Sequence, residues 1–162
     1  MRTLPNRKLT NNFTLYEFIE GQLPADGIAL NWKHINEMDQ TRFLQAAIHA
    51  QSIRDLINRE FKSDTGAAEI GLRITSGFRC KAWELKQGRS GNSQHTVAAY
   101  DAQPTNCSND QAVAIIAWLH NRFKRTYVGG LAMKKATIEK GKYVKVGFIH
   151  FDFRGHVARW EY

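Results

Sequence analysis

The stretch Ser93-Gln94-His95-Thr96-Val97-Ala98-Ala99-Tyr100-Asp101 decides how this chain is read. It carries a histidine and a carboxylate six positions apart, more than one helical turn allows for side chains that must meet. A loop running into a strand brings them together instead. On such a strand Ala99 and Asp101 project from one face, and the small residue leaves room for an ion beside the carboxylate. A catalytic zinc takes three protein ligands, mostly imidazoles and carboxylates, and keeps a fourth position open. The third donor stands in Gly147-Phe148-Ile149-His150-Phe151-Asp152-Phe153-Arg154-Gly155. His95, Asp101 and His150 complete a ligand set if these two segments meet in space.

The flanking sequence supplies helices first and strands later. Thr14-Leu15-Tyr16-Glu17 is a capping box, with Phe13 and Phe18 placed as its hydrophobic staple. The helix it opens is short, because Gly21 and Pro24 follow. Phe43, Leu44, Ala47, Ala50, Ile53, Ile57 and Phe61 recur at spacings of three and four, which predicts a helix from about Asp39 to Phe61. Lys62-Ser63-Asp64-Thr65-Gly66 reads as its terminator. The alternation from Ile70 to Thr75 predicts a strand that ends in Thr75-Ser76-Gly77-Phe78-Arg79. A further helix begins at Ser108, capped with Gln111, and runs to about Lys124, with Val113, Ile116, Ala117 and Phe123 as its buried side. Thr126 to Met133 and Tyr143 to Phe153 are strand candidates joined through Lys140-Gly141-Lys142. This order predicts an α+β fold, and the 162 residues fit a single domain, 1–162.

The chain resembles the D-Ala-D-Ala carboxypeptidase-type zinc peptidases, a family that includes phage endolysins and shares its fold with hedgehog signalling domains. That family carries S-x-H-x-x-G-x-A-x-D and, on a later strand, F-V-H-x-D. Here the corresponding residues are Ser93-x-His95, Ala99-x-Asp101 and Phe148-Ile149-His150-Phe151-Asp152. Ser76-Gly77-Phe78-Arg79, Phe13-Thr14-Leu15-Tyr16-Glu17-Phe18, Gly129-Gly130-Leu131 and Arg159-Trp160 match as well, in family order over nearly the whole chain. The resemblance implies a small antiparallel sheet packed against helices, and Zn2+ held by His95, Asp101 and His150. It implies that Arg79 holds a substrate carboxylate or the charge developing on the scissile carbonyl. Ser93 supports the histidine loop, and His156 is close enough to the metal strand to support a ligand or touch substrate. The implied substrate is the peptide part of peptidoglycan.

Three departures stand beside the match. The interval from His95 to Asp101 is one residue shorter than in the family, which puts Val97 where the family has glycine. Many relatives carry an acid three residues before the second histidine, where this chain has Gly147; Asp152 is the nearest remaining carboxylate, as a general base or as an orienter of a ligand histidine. Met133 to Lys145 forms a basic insertion that can grip anionic wall polymer, dock on a partner or shield the cleft.

Charge and composition exclude several other classes. The formal charge is +8, from 23 basic and 15 acidic residues; a field of this sign attracts nucleic acid, anionic lipid or anionic cell-wall polymer. No helix-turn-helix or zinc-finger pattern accompanies it, which argues against nucleic acid. No apolar run approaches the roughly 20 residues of a membrane span, and Met1 to Leu9 show no apolar h-region of a secretory signal. The expected location is the cytoplasm of the producing cell, with action on the wall after lysis or association with a virion. Cys80 and Cys107 are too few for a disulfide scaffold and read as free thiols. A serine hydrolase lacks its G-x-S-x-G elbow, and Cys80 with His95 is a weaker nucleophile pair. The main rival keeps the fold and drops catalysis, as a structural part of a phage tail or capsid.

Overall fold

A computed structural model describes residues 4–37, 40–65 and 69–162. The chain is α+β, with five α-helices, a five-stranded sheet and a separate two-stranded ribbon among the described residues. It divides into two compact units, Met1–Gln51 with Ile74–Tyr100, and Ser52–Arg73 with Asp101–Tyr162. The division falls inside α3, β1 and β2.

In the first unit, α1 (Leu15–Glu20) begins at the capping box read from sequence: the Glu17 carboxylate accepts from the Thr14 amide at 2.7 Å and from its hydroxyl at 2.9 Å. Phe13 and Phe18 pack edge to face with ring centroids 5.9 Å apart, which is the staple. Sequence reading missed α2 (Ala25–Lys33), because Pro24 reads as a terminator. It is instead the N-cap of α2, a site where the missing N–H costs nothing. α4 (Lys81–Lys86) was also missed; at six residues it offers too few positions for a helical period. Cys80 caps it, its sulfur accepting from Trp83 N at 3.4 Å.

The long helix α3 spans Gln40–Thr65, so it runs past its expected end at Phe61; Asp39 and Gly66 lie outside the described residues. Phe43, Ala47, Ala50, Ile53 and Ile57 are buried as the period requires, whereas Leu44 is 43% exposed. Ala46 and Leu56 take buried places instead.

The main sheet has the order β1-β2-β6-β3-β7, with β1 at Gly71–Ser76, β2 at Ala99–Thr105, β3 at Gly130–Lys134, β6 at Phe148–Asp152 and β7 at Ala158–Glu161. In the second unit, β3 pairs antiparallel with β6 but parallel with β7. The sheet is therefore mixed, which corrects the antiparallel expectation. The strand expected from Thr126 starts only at Gly130, and the one expected from Tyr143 to Phe153 is broken at Gly147, whose φ is +90°. The residues between β3 and β6 form the separate ribbon of β4 (Thr137–Glu139) and β5 (Lys142–Lys145). Its turn places both Lys140 (φ +50°) and Gly141 (φ +74°) in the left-handed region, which suits the right-handed twist of a two-residue hairpin.

Helix α5 (Asn109–Phe123) is capped by Ser108 and Gln111 as expected and packs on β3 and β6. Its buried side is Ala112, Ile115, Ile116 and Leu119. Of the four expected positions only Ile116 belongs to it; Val113 and Ala117 line a cavity described below. Neither Cys80 nor Cys107 takes part in a disulfide. No helix among the described residues is long and apolar enough to cross a membrane.

Candidate metal centre

His95 sits in a short helical turn, Gln94–Thr96, started by Ser93, whose hydroxyl accepts from the His95 amide at 3.3 Å. Its ring is buried, and Nδ1 lies 2.6 Å from the carbonyl oxygen of Gly77. A carbonyl can only accept, so Nδ1 carries a proton, and in the neutral ring Nε2 then keeps its lone pair. That is the tautomer a metal ligand requires, set by the hydrogen bond on the far nitrogen.

The loop that supplies this carbonyl is held from below. Gly77 approaches α1 so closely that a Cβ there would lie 2.2 Å from Phe18 O. The Phe78 amide donates to Phe18 O at 2.6 Å. Asn31, fully buried on α2, donates from Nδ2 to Ile19 O (2.7 Å) and Phe78 O (2.6 Å), and its Oδ1 accepts from Cys80 N (2.9 Å). Sequence reading gave Asn31 no role; a lone asparagine in a short helix carries no distinguishing signal.

Arg79 lies next on this loop, 17% exposed, with its amide donating to His95 O at 3.1 Å. Its Nε is 2.9 Å from Glu84 Oε1, and its Nη2 is 3.3 Å from Ser93 Oγ. Glu84 is buried and also binds Arg89 at 2.9 Å. This acid, five residues beyond Arg79, was not singled out from sequence, though it orients the guanidinium.

In the second unit, β2 carries Asp101 and β6 carries His150 and Asp152, all buried. His150 Nδ1 lies 2.7 Å from Asp101 Oδ1, and Nε2 lies 3.3 Å from Asp152 Oδ2. Burial pulls the imidazole pKa down, but the hydrogen bonds and charges of Asp101 and Asp152 outweigh it and the pKa is raised. Both ring nitrogens of His150 thus face carboxylate oxygens, an arrangement that favours its charged form.

Asp152 makes further contacts. Its Oδ1 accepts from Gly130 N (2.8 Å), Arg154 N (3.2 Å) and Arg154 Nε (2.8 Å). Burial would push its pKa up, but bonds from His150, Arg154 and the two amides hold it well below the usual carboxylate range. The register explains Gly129-Gly130: Gly130 faces Asp152 across the β3–β6 pair, and a Cβ there would lie 2.0 Å from Asp152 Oδ2. Ala132 faces both His150 and Trp160. Over this small residue the two rings approach to 5.1 Å, and Arg154 lies 5.1 Å above the indole. His156 is exposed in the connection between β6 and β7.

One ligand atom each from His95, Asp101 and His150 lies within 4.8 Å of the other two, and all three residues are buried. Two imidazoles and a carboxylate are a donor set that zinc accepts, and the His95 tautomer fits it. The group can therefore hold a metal ion. At Gly147 a Cβ would lie 2.2 Å from Lys134 O and φ is +90°, so this backbone excludes a carboxylate side chain there. Comparison with protein-family models, curated proteins and solved structures returns no match.

Proposed function

We propose that His95, Asp101 and His150 hold a zinc ion and that the chain is a metallopeptidase of the D-Ala-D-Ala carboxypeptidase type, acting on the peptide part of peptidoglycan. The observation that carries this reading is the convergence of three buried donors to within 4.8 Å, together with the resemblance of the segments that supply them. A bound zinc would supply a Lewis acid for the scissile carbonyl and lower the pKa of water.

The chain's own residues prepare for hydrolysis. Gly77 O fixes the His95 tautomer, and Glu84 with Ser93 holds the Arg79 guanidinium beside His95, where it can bind a substrate carboxylate. Asp152 is already bound to Arg154 and Gly130, so its role is to orient His150 rather than to accept a proton. Water adds across the peptide C–N bond, its hydroxyl going to the carbonyl carbon and its protons ending on the leaving amine and solvent.

The engagement of Asp152 also favours a second reading, a non-catalytic domain in a phage virion, because a carboxylate held by Arg154 and the Gly130 amide is a poor base. One experiment separates the two. The peptidase contains about one zinc per chain and releases peptides from purified peptidoglycan, and His150→Ala removes both. Protein prepared without chelator that contains no zinc sinks the enzyme; stoichiometric incorporation into particles, without peptide release, establishes the virion component.

A further inference from the structure

Met133 follows Ala132 on β3, so its side chain leaves the face opposite to that of His150. There, within the second unit, it lines a cavity of about 180 Å³ together with Val113, Ile116 and Ala117 of α5 and Val146. Lys134 and Lys135, both exposed, and Ala136 complete the wall. The volume falls below the roughly 300–1,000 Å³ of clefts that enclose small-molecule ligands. It suits one anchoring side chain of a partner protein, the unit around which interfaces concentrate their binding energy.

The charge beside it is one-sided. From Lys134 to Lys145 there are five lysines and a single acid, Glu139, and all six are exposed. Lys135 is paired with Glu161 at 3.0 Å, and Tyr143 is hydrogen-bonded to Asp110 at the start of α5, which holds the ribbon to the helix. Ile138 and Val144 on the ribbon are 56% and 53% exposed.

We propose that this cavity and the β4–β5 ribbon form a docking surface for an acidic protein segment that inserts one large aliphatic or aromatic side chain between α5 and β3. The lysines attract and align the acidic residues, and the cavity supplies the anchor. A second copy of this chain does not fit, because it would bring the same lysines into contact.

The test is selection of random short peptides on the full chain, followed by affinity measurements on those recovered. The expected peptides place Asp and Glu around one Leu, Ile, Met or Phe, and their binding weakens with added salt. Replacing the anchor by Ser weakens binding about ten-fold or more. Ala117→Phe, which fills the cavity, does the same. The combined change Lys140→Glu, Lys142→Glu and Lys145→Glu abolishes binding while thermal unfolding stays unchanged, since these side chains are exposed. The proposal is overturned if nothing is enriched, if the peptides lack either acid or anchor, or if Ser in place of the anchor has no effect. Tighter binding of phosphatidylglycerol vesicles or a DNA duplex than of the peptides also overturns it, as it would mark a surface for polyanions at large.

Discussion

His150 Nδ1 lies 2.7 Å from Asp101 Oδ1, a hydrogen-bond distance rather than a distance between two ligands of one ion. Zinc bonds of about 2.0–2.1 Å at the tetrahedral angle hold donor atoms about 3.4 Å apart. A proton therefore stands between these two residues, and a metal must replace it with a small separation of β2 from β6 side chains.

Zinc uptake is accordingly expected to release protons and to weaken as pH falls. Calorimetric titration in buffers of differing ionisation heat measures the release directly. Binding with no proton release would contradict an imidazolium at His150.

Asp152→Asn retains the shape of the side chain but removes the charge that fixes His150 and binds Arg154. A partner of a ligand histidine is worth about 10–100-fold in metal affinity, and a loss in that range is expected by competition against a chelator. An unchanged affinity would show that the 3.3 Å contact with His150 does not orient the ring.

Gly130→Ala places a methyl group 2.0 Å from Asp152 Oδ2 and 2.4 Å from its carboxyl carbon. The pairing of β3 with β6 has to shift or the carboxylate has to leave its amide. A loss of about 1–3 kcal/mol is expected in urea unfolding, with the same substitution at Gly141, where nothing lies near the Cβ but φ is +74°, as a control for backbone strain alone.

Asn31→Ala removes three buried hydrogen bonds, to Ile19 O, Phe78 O and Cys80 N. Unsatisfied buried groups cost about 1–3 kcal/mol each, so a loss of about 3 kcal/mol or more is expected. Asn31→Asp is worse, because a carboxylate oxygen would then face two carbonyl oxygens.

Burial pushes the pKa of His49, which shares a 2.7 Å hydrogen bond with Tyr100, from 6.5 down to about 4. The folded state keeps this imidazole neutral while the unfolded chain binds a proton. Its contribution is therefore complete above pH 6.5 and is lost progressively as pH falls toward 4. The ceiling is about 3 kcal/mol, reduced by the partial exposure of the ring. Chemical unfolding of His49→Phe across the same range should show a shallower acid loss than the parent chain; parallel curves would remove His49 from the account.

Local pattern alone was sufficient where the controlling forces are local. Thr14 with Glu17 and Ser108 with Gln111 reach one another within a single turn, so their caps were legible, as was the period of α3 from Phe43 to Ile57. Pro24 and Leu44 show the limit: a proline can start a helix as well as stop one, and an apolar residue on the right period can still point outward. The grouping of His95, Asp101 and His150 was also legible from the motif residues around them, and the three do lie together. Their partners were not. Asn31 meets Cys80 across 49 positions, Gly130 meets Asp152 across 22, and His150 meets Asp101 across 49; only strand register and loop packing decide such pairs. The amino-acid sequence by itself determined which donors exist and the α+β order of elements. Tertiary structure decided the tautomer of His95, the placement of His150 between two carboxylates and the capture of Asp152 by Arg154, since each depends on distances that chain spacing does not encode.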